Sequence, residues 1–113
     1  MAFKRWAYCF CALLAGSVMP IRPVSAATIC RAGFVLRLAS EKDEVCVPPG
    51  TRERTVAENA RAPLLWNPGP FGPKTCAQGY VWRVAFAEDI VCVSPLIRTE
   101  TRQDNANAVS RHQ

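Results

Sequence analysis

With 113 residues, half of them apolar, and fourteen Lys and Arg against nine Asp and Glu, the chain has room for one small domain or two very small ones. Its formal charge of +5 overstates its attraction for polyanions. Lys4, Arg5 and Arg22 lie in a leader-like stretch, and without them eleven basic residues face nine acidic ones, leaving +2. Nucleic acid, which needs clustered cations over several phosphates, is therefore not an expected partner.

Residues 1–26 read as an export signal. Lys4 and Arg5 supply the positive start, Trp6 to Met19 is an apolar run shorter than the ~20 residues that span a bilayer, and Val24-Ser25-Ala26 fits a small-residue cleavage site. Cleavage is expected after Ala26, leaving no stable membrane span. Cys9 and Cys11 would leave with this segment. Export places the remainder in an oxidising compartment, so the expected location is secreted or periplasmic.

Beyond the leader, one pattern is written twice. Cys30–Ala62 aligned with Cys76–Ala108 at a constant offset of 46, without a gap, is identical at fifteen of thirty-three positions. That level points to tandem duplication. Each copy owns one cysteine pair at the same separation, so Cys30–Cys46 and Cys76–Cys92 are the expected disulfides among the three connectivities four cysteines allow. Each closes a loop of about fifteen residues, for which chain entropy gives ~3 kcal/mol.

Within the first copy, residues 27–62, Gly33 suits a turn, Phe34 to Ala39 reads as a strand, Ser40 to Asp43 as a polar turn, and Glu44 to Val47 as a second strand. Closing a hairpin on that turn would place Leu36 opposite Val47 and Leu38 opposite Val45, with Phe34, Leu36 and Leu38 on the apolar face. Arg37, Ala39 and Cys46 would fall on the other face. A helix over Arg52 to Ala60 comes next, capped by Thr51, with Val56, Ala57 and Ala60 as its apolar contacts.

Residues 63–74 hold four prolines and two glycines and are expected to lack regular structure. Leu64, Leu65, Trp66 and Phe71 are too apolar for a solvated linker, so this crossover is expected to pack across one or both hairpins. The second copy, residues 75–108, repeats the plan, with Tyr80, Trp82 and Val84 on the apolar face and Ser94-Pro95 opening a helix to Ala106. Residues 109–113 form a polar tail expected to be disordered. The fold class is α+β: two tandem ββα repeats, each with one internal disulfide.

Laid out as Cys-x-x-Gly-aromatic-Val-x-Arg-x-Ala followed by Asp-x-Val-Cys-Val-x-Pro, the two blocks resemble a repeat module of exported bacterial proteins. The second copy is the more similar, with Asn67-Pro68-Gly69-Pro70-Phe71-Gly72-Pro73 before it and Arg98, Asn105 and Ala106 after; the first carries Leu36 where the second has Trp82. The resemblance implies a repeat fold serving as an accessory or stand-alone unit, and no reaction.

Catalytic chemistry finds no foothold. His112 is the only histidine and sits in the tail, and the cysteine spacing contains no Cys-x-x-Cys knuckle, so neither a catalytic residue, a metal nor another cofactor is expected. The candidate binding residues are Tyr80 and Trp82, as an aromatic platform, with Arg83 and Arg37, which could offer a guanidinium to an anion. Against that, each Arg has an internal partner available in Asp43 or Asp89. Arg52, Arg98, Asn59 and Asn105 read as helix-end residues. The function expected is a non-enzymatic exported module binding a protein or carbohydrate ligand. The alternative is a small stapled inhibitor or toxin-like effector presenting the loop Ala85 to Asp89.

Overall fold

The computed structural model describes residues 28–113; the expected signal segment and its cleavage site lie outside them. The chain is α+β, built as two ββα units. In the first, β1 (Val35–Leu36) pairs antiparallel with β2 (Cys46–Val47) and leads into α1 (Pro49–Arg61). A 3-10 turn, Ala62–Leu65, and a hairpin of β3 (Trp66–Gly69) and β4 (Gly72–Cys76) connect to the second unit. There β5 (Val81–Trp82) pairs with β6 (Cys92–Val93) before α2 (Pro95–Asn107) and a last 3-10 turn, Val109–Arg111. Disulfides Cys30–Cys46 and Cys76–Cys92 close the units separately, with Cα atoms 5.7 and 5.6 Å apart.

The hairpin register differs from expectation by one residue. Val35 stands opposite Val47 and Leu36 opposite Cys46, and Val81 and Trp82 pair in the same way with Val93 and Cys92. A slip of one residue exchanges the two faces of a strand. It carries Arg37 and Arg83 inward, to 2 % and 1 % exposure. The expected alternation treats every residue from Phe34 to Ala39 as extended. Leu38 and Val84 instead adopt positive φ, 62° and 51°, and end the ladders after two residues.

That conformation is held by Asp43 and Asp89. Asp43 accepts hydrogen bonds from the amides of Ala39 (2.9 Å) and Val45 (3.2 Å), and Asp89 accepts from Ala85 and Val91 at the same distances. Each carboxylate also takes two bonds from its own arginine. The loop is therefore wrapped around an ion pair, which outweighs the roughly 1–2 kcal/mol that a left-handed non-glycine residue costs.

The helices dock on a polar face. Val56 is 45 % exposed, and Ala57 and Ala60 also face solvent, while Thr55 and Glu58 are buried. In α2 the buried residue is Thr101, and Leu96 and Ala106 face outward. Both buried threonines donate to the carbonyl four residues back, Thr51 or Ile97, so neither hydroxyl is left unpaired. The expected apolar contacts are displaced because the groups brought in by the hairpins are arginines, which need acceptors opposite them.

The crossover is regular, contrary to expectation. Trp66 pairs with Cys76, Asn67 with Thr75 and Gly69 with Gly72. The hairpin is an isolated two-stranded ladder, so Pro68 and Pro73 occupy edge positions where no amide donor is required, and Pro70 lies in the turn. As expected it packs across the second unit, through the Trp66 indole N–H donating to the Ile90 carbonyl at 2.9 Å. Leu64 and Phe71, however, remain exposed.

The tail is ordered, which corrects the expectation of disorder. His112 bridges Cys30, the Arg31 amide donates to the Arg111 carbonyl at 2.8 Å, and the Gln113 amide donates to the Ile29 carbonyl at 2.9 Å. The Arg111 side chain bonds the Cys46 carbonyl (3.1 Å) and Asp104 (2.9 Å) and lies over the Phe34 ring. These contacts have counterparts 46 residues earlier. Trp66 bridges Cys76 as His112 bridges Cys30, and Ala77 bonds Leu65 as Arg31 bonds Arg111. The end of each unit thus closes onto the beginning of the other, and the pair forms a ring with approximate two-fold symmetry. Arg54 and Glu100, equivalent positions on the two helices, meet at 3.8 Å where that axis runs.

Candidate functional site

Two sets of residues warrant a functional reading, the buried arginines and the exposed aromatics. Arg83 donates from Nε and Nη2 to the Asp89 carboxylate at 2.7 and 3.1 Å, from Nη1 to Glu58 at 3.3 Å, and from Nη2 to the Asn59 side-chain oxygen at 2.9 Å. Arg37 makes the equivalent fork to Asp43 at 2.7 and 3.2 Å and reaches Asn105 at 2.9 Å. Each unit's arginine therefore crosses to the other unit's asparagine. The asparagine amide returns to the same region, Asn59 to the Leu38 carbonyl and Asn105 to the Ala85 carbonyl.

Arg37 and Arg83 consequently present nothing to a ligand. Their donors are consumed inside the protein and their surfaces are sealed, so their place among the binding candidates is corrected: they are the core. Sequence reasoning assigns Asn59 and Asn105 to helix ends. Their signal is present in the internal alignment, where both asparagines are identical alongside the arginines, but an identity does not reveal that the pairing runs between copies.

The aromatics behave differently. Tyr80 and Trp82 flank Val81 on and beside β5, and the tip of the β3–β4 hairpin brings Phe71 to them, its ring meeting the Trp82 ring edge-on with centroids 5.8 Å apart. Phe71 is 73 % exposed and Tyr80 42 %. With Thr75, Val81 and Arg98 they line a groove of about 280 Å³, near the lower end of ligand-site volumes (roughly 300–1,000 Å³). Polar groups of its walls are engaged within the protein. The Trp82 indole N–H donates to the Lys74 carbonyl at 3.0 Å, and the Thr75 hydroxyl accepts from the Phe71 amide and donates to the Gly72 carbonyl. Ring faces, the Tyr80 hydroxyl and the Arg98 guanidinium are what the groove offers. Arg98 forms no ion pair among the described residues. Sequence alone groups Phe71 with Trp66 in a packed crossover and gives Arg98 no part in binding; the hairpin and α2 bring both Phe71 and Arg98 to this wall.

The first unit has no such groove. Leu36 stands where Trp82 would, and Arg111 covers the Phe34 ring at 5.1 Å. A larger hollow of about 630 Å³ between the two turns is edged by Glu41, Glu44, Glu88 and Phe86. The carboxylates of Glu41, Glu44 and Glu88 are exposed and solvated, and that of Asp43, also in its lining, is turned inward to Arg37. The loop Ala85 to Asp89 is anchored inward, with both its end residues buried. His112 folds back, and its imidazole stands 3.3 Å from the Glu44 carbonyl. Among the described residues no cluster of three or more His, Cys, Asp or Glu is placed to hold a metal, and no helix is long and apolar enough to cross a membrane.

Comparison with protein-family models, with curated proteins and with solved structures finds no match to this chain.

Proposed function

We propose that the protein is a non-enzymatic binding module of an exported kind, secreted or periplasmic, whose ligand contact is the aromatic groove of the second unit. The observation that carries this reading is the corner of exposed Phe71 and Tyr80 with half-buried Trp82, and Arg98 at the same wall. Exposed aromatic side chains held rigidly contribute much contact area at low entropic cost, which is why they dominate recognition surfaces. Two disulfides fit a compartment where thiols are oxidised. The leader-like start of the sequence is in keeping with such a destination.

The oxidised chain lacking residues 1–26, immobilised and challenged with cell-envelope and culture-medium polymers, provides the test. Phe71→Ala removes a largely solvent-facing ring, so retention is expected to fall at least about tenfold while the melting temperature stays within about two degrees. Unchanged retention by that variant would show that the groove is not the contact surface.

A further inference from the structure

We infer that the groove is built for a sugar acid, a pyranose ring bearing a carboxylate, within an acidic glycan; this rests on the binding-module reading above. The contacts its walls leave unused decide the ligand. Phe71 and Trp82 meet at 62°, forming a corner of two rings. The faces of an aromatic ring carry negative potential, so they attract the weakly positive C–H face of a pyranose. Because the Trp82 and Thr75 polar atoms are already bonded internally, these walls recognise a face and not a pattern of hydroxyls. The directional contacts left are the Tyr80 hydroxyl and Arg98.

Charge decides between a neutral and an acidic ring. No carboxylate lines the groove, and Arg98 meets no counter-ion among the described residues. A guanidinium fork matches a carboxylate with two parallel hydrogen bonds. Lys74, beside Thr75 in the hairpin, places its ammonium over the Trp66 ring at 4.7 Å and not in the groove, so Arg98 is the cation that meets the ligand. A peptide is a poorer fit. The ladder beneath the aromatics is two residues long, and strand addition needs a longer edge for its main-chain bonds.

The first unit offers an internal comparison. It keeps Arg52 at the position equivalent to Arg98, but lacks the ring corner, so one ligand per chain is expected.

The test titrates the oxidised chain lacking residues 1–26 with oligogalacturonate, with its neutral methyl ester, and with a non-acidic glucan of equal length, following tryptophan fluorescence and heat. Saturable binding of the oligogalacturonate at one per chain, weakened at least about tenfold in Arg98→Ala and in the methyl ester, is the expected result. Arg98→Lys should recover part of it, since the charge returns without the fork. Arg52→Ala should bind as the parent does. Equal binding of acid and ester would overturn the sugar-acid assignment while leaving a carbohydrate-binding groove. Absence of binding to all three overturns the inference about ligand class, and the Phe71→Ala retention experiment then reports separately on the groove itself. Because Arg98 is not part of the buried network, loss of binding with an unchanged melting curve cannot be ascribed to unfolding.

Discussion

At the scale of single residues, the protein departs from the ordinary rule that a small core is apolar. Arg37 and Arg83 occupy its centre with Asp43, Asp89 and Glu58 around them. Removing charge from water costs several kcal/mol per ion, and that cost is offset only where every donor finds an acceptor. Arg83 meets this condition through two carboxylates, an asparagine and backbone carbonyls. Arg83→Ala leaves Asp89 and Glu58 buried without that counter-charge and is expected to cost about 3–5 kcal/mol. Arg37→Ala, which strands one carboxylate, should cost less. Urea denaturation of the two variants measures both, and a loss under about 1 kcal/mol in each would mean the pairs do not organise the fold. Against a typical total stability of about 5–15 kcal/mol, the Arg83 change approaches global unfolding.

At the scale of elements, the two units are an experiment in which nature has varied the caps. Ser94 accepts a hydrogen bond from the Ile97 amide at 3.3 Å at the start of α2, while the equivalent residue before α1 is Pro48, with no side-chain cap. Ser94→Ala should lower stability by about 1 kcal/mol, and Pro48→Ser should raise it by a smaller amount, since it installs an acceptor where α1 has none. Both shifts are readable as changes in denaturation midpoint at constant slope. The start of α2 is legible from Ser94-Pro95 because capping is local chemistry, whereas α1 begins at Pro49, three residues before the Arg52 expected behind a Thr51 cap, because Pro49 fits the first helical turn without an amide donor. The docking faces are not legible. Hydrophobic periodicity points to Val56 and Ala60, whereas the hairpins present guanidinium groups to Thr55, Glu58 and Asn59, and a local pattern carries no information on what will lie opposite.

At the scale of the whole molecule, stability comes from the closing of one unit on the other. Two-residue ladders cannot hold a hairpin independently; here the disulfides, the crossed Arg–Asn contacts and the reciprocal strand ends do so together. Deleting residues 109–113 removes the cover on Phe34, the Arg111 bond to Cys46 and the bridge to Cys30. The expected outcome is a loss of several degrees in melting temperature, together with faster amide exchange around Cys46. The ring also predicts that residues 28–113 tolerate circular permutation. Joining Gln113 to Thr28 through a short glycine linker and opening the β3–β4 tip between Pro70 and Phe71 should preserve both disulfide pairings, checked by non-reducing peptide mapping. Scrambled pairing would show that the order of the units, and not their closure, directs folding.

The sequence by itself determined the α+β class, the duplication at an offset of 46, the pairing of cysteines within each copy and the start of the second helix. Those features arise from spacing, composition and short-range hydrogen bonding, all of which act over a few residues or repeat identically. Only the tertiary structure decided that Arg37 and Arg83 are core, that Phe71 and Arg98 join Tyr80 and Trp82 in one groove, and that the tail closes the ring. Each of these depends on groups contributed by different elements. A single positive-φ residue in each hairpin, Leu38 or Val84, accompanies the one-position shift in register that sends the arginine inward, and the acceptors that meet it there come from two places, the aspartate of its own hairpin and the polar side chains of the opposite half of the chain.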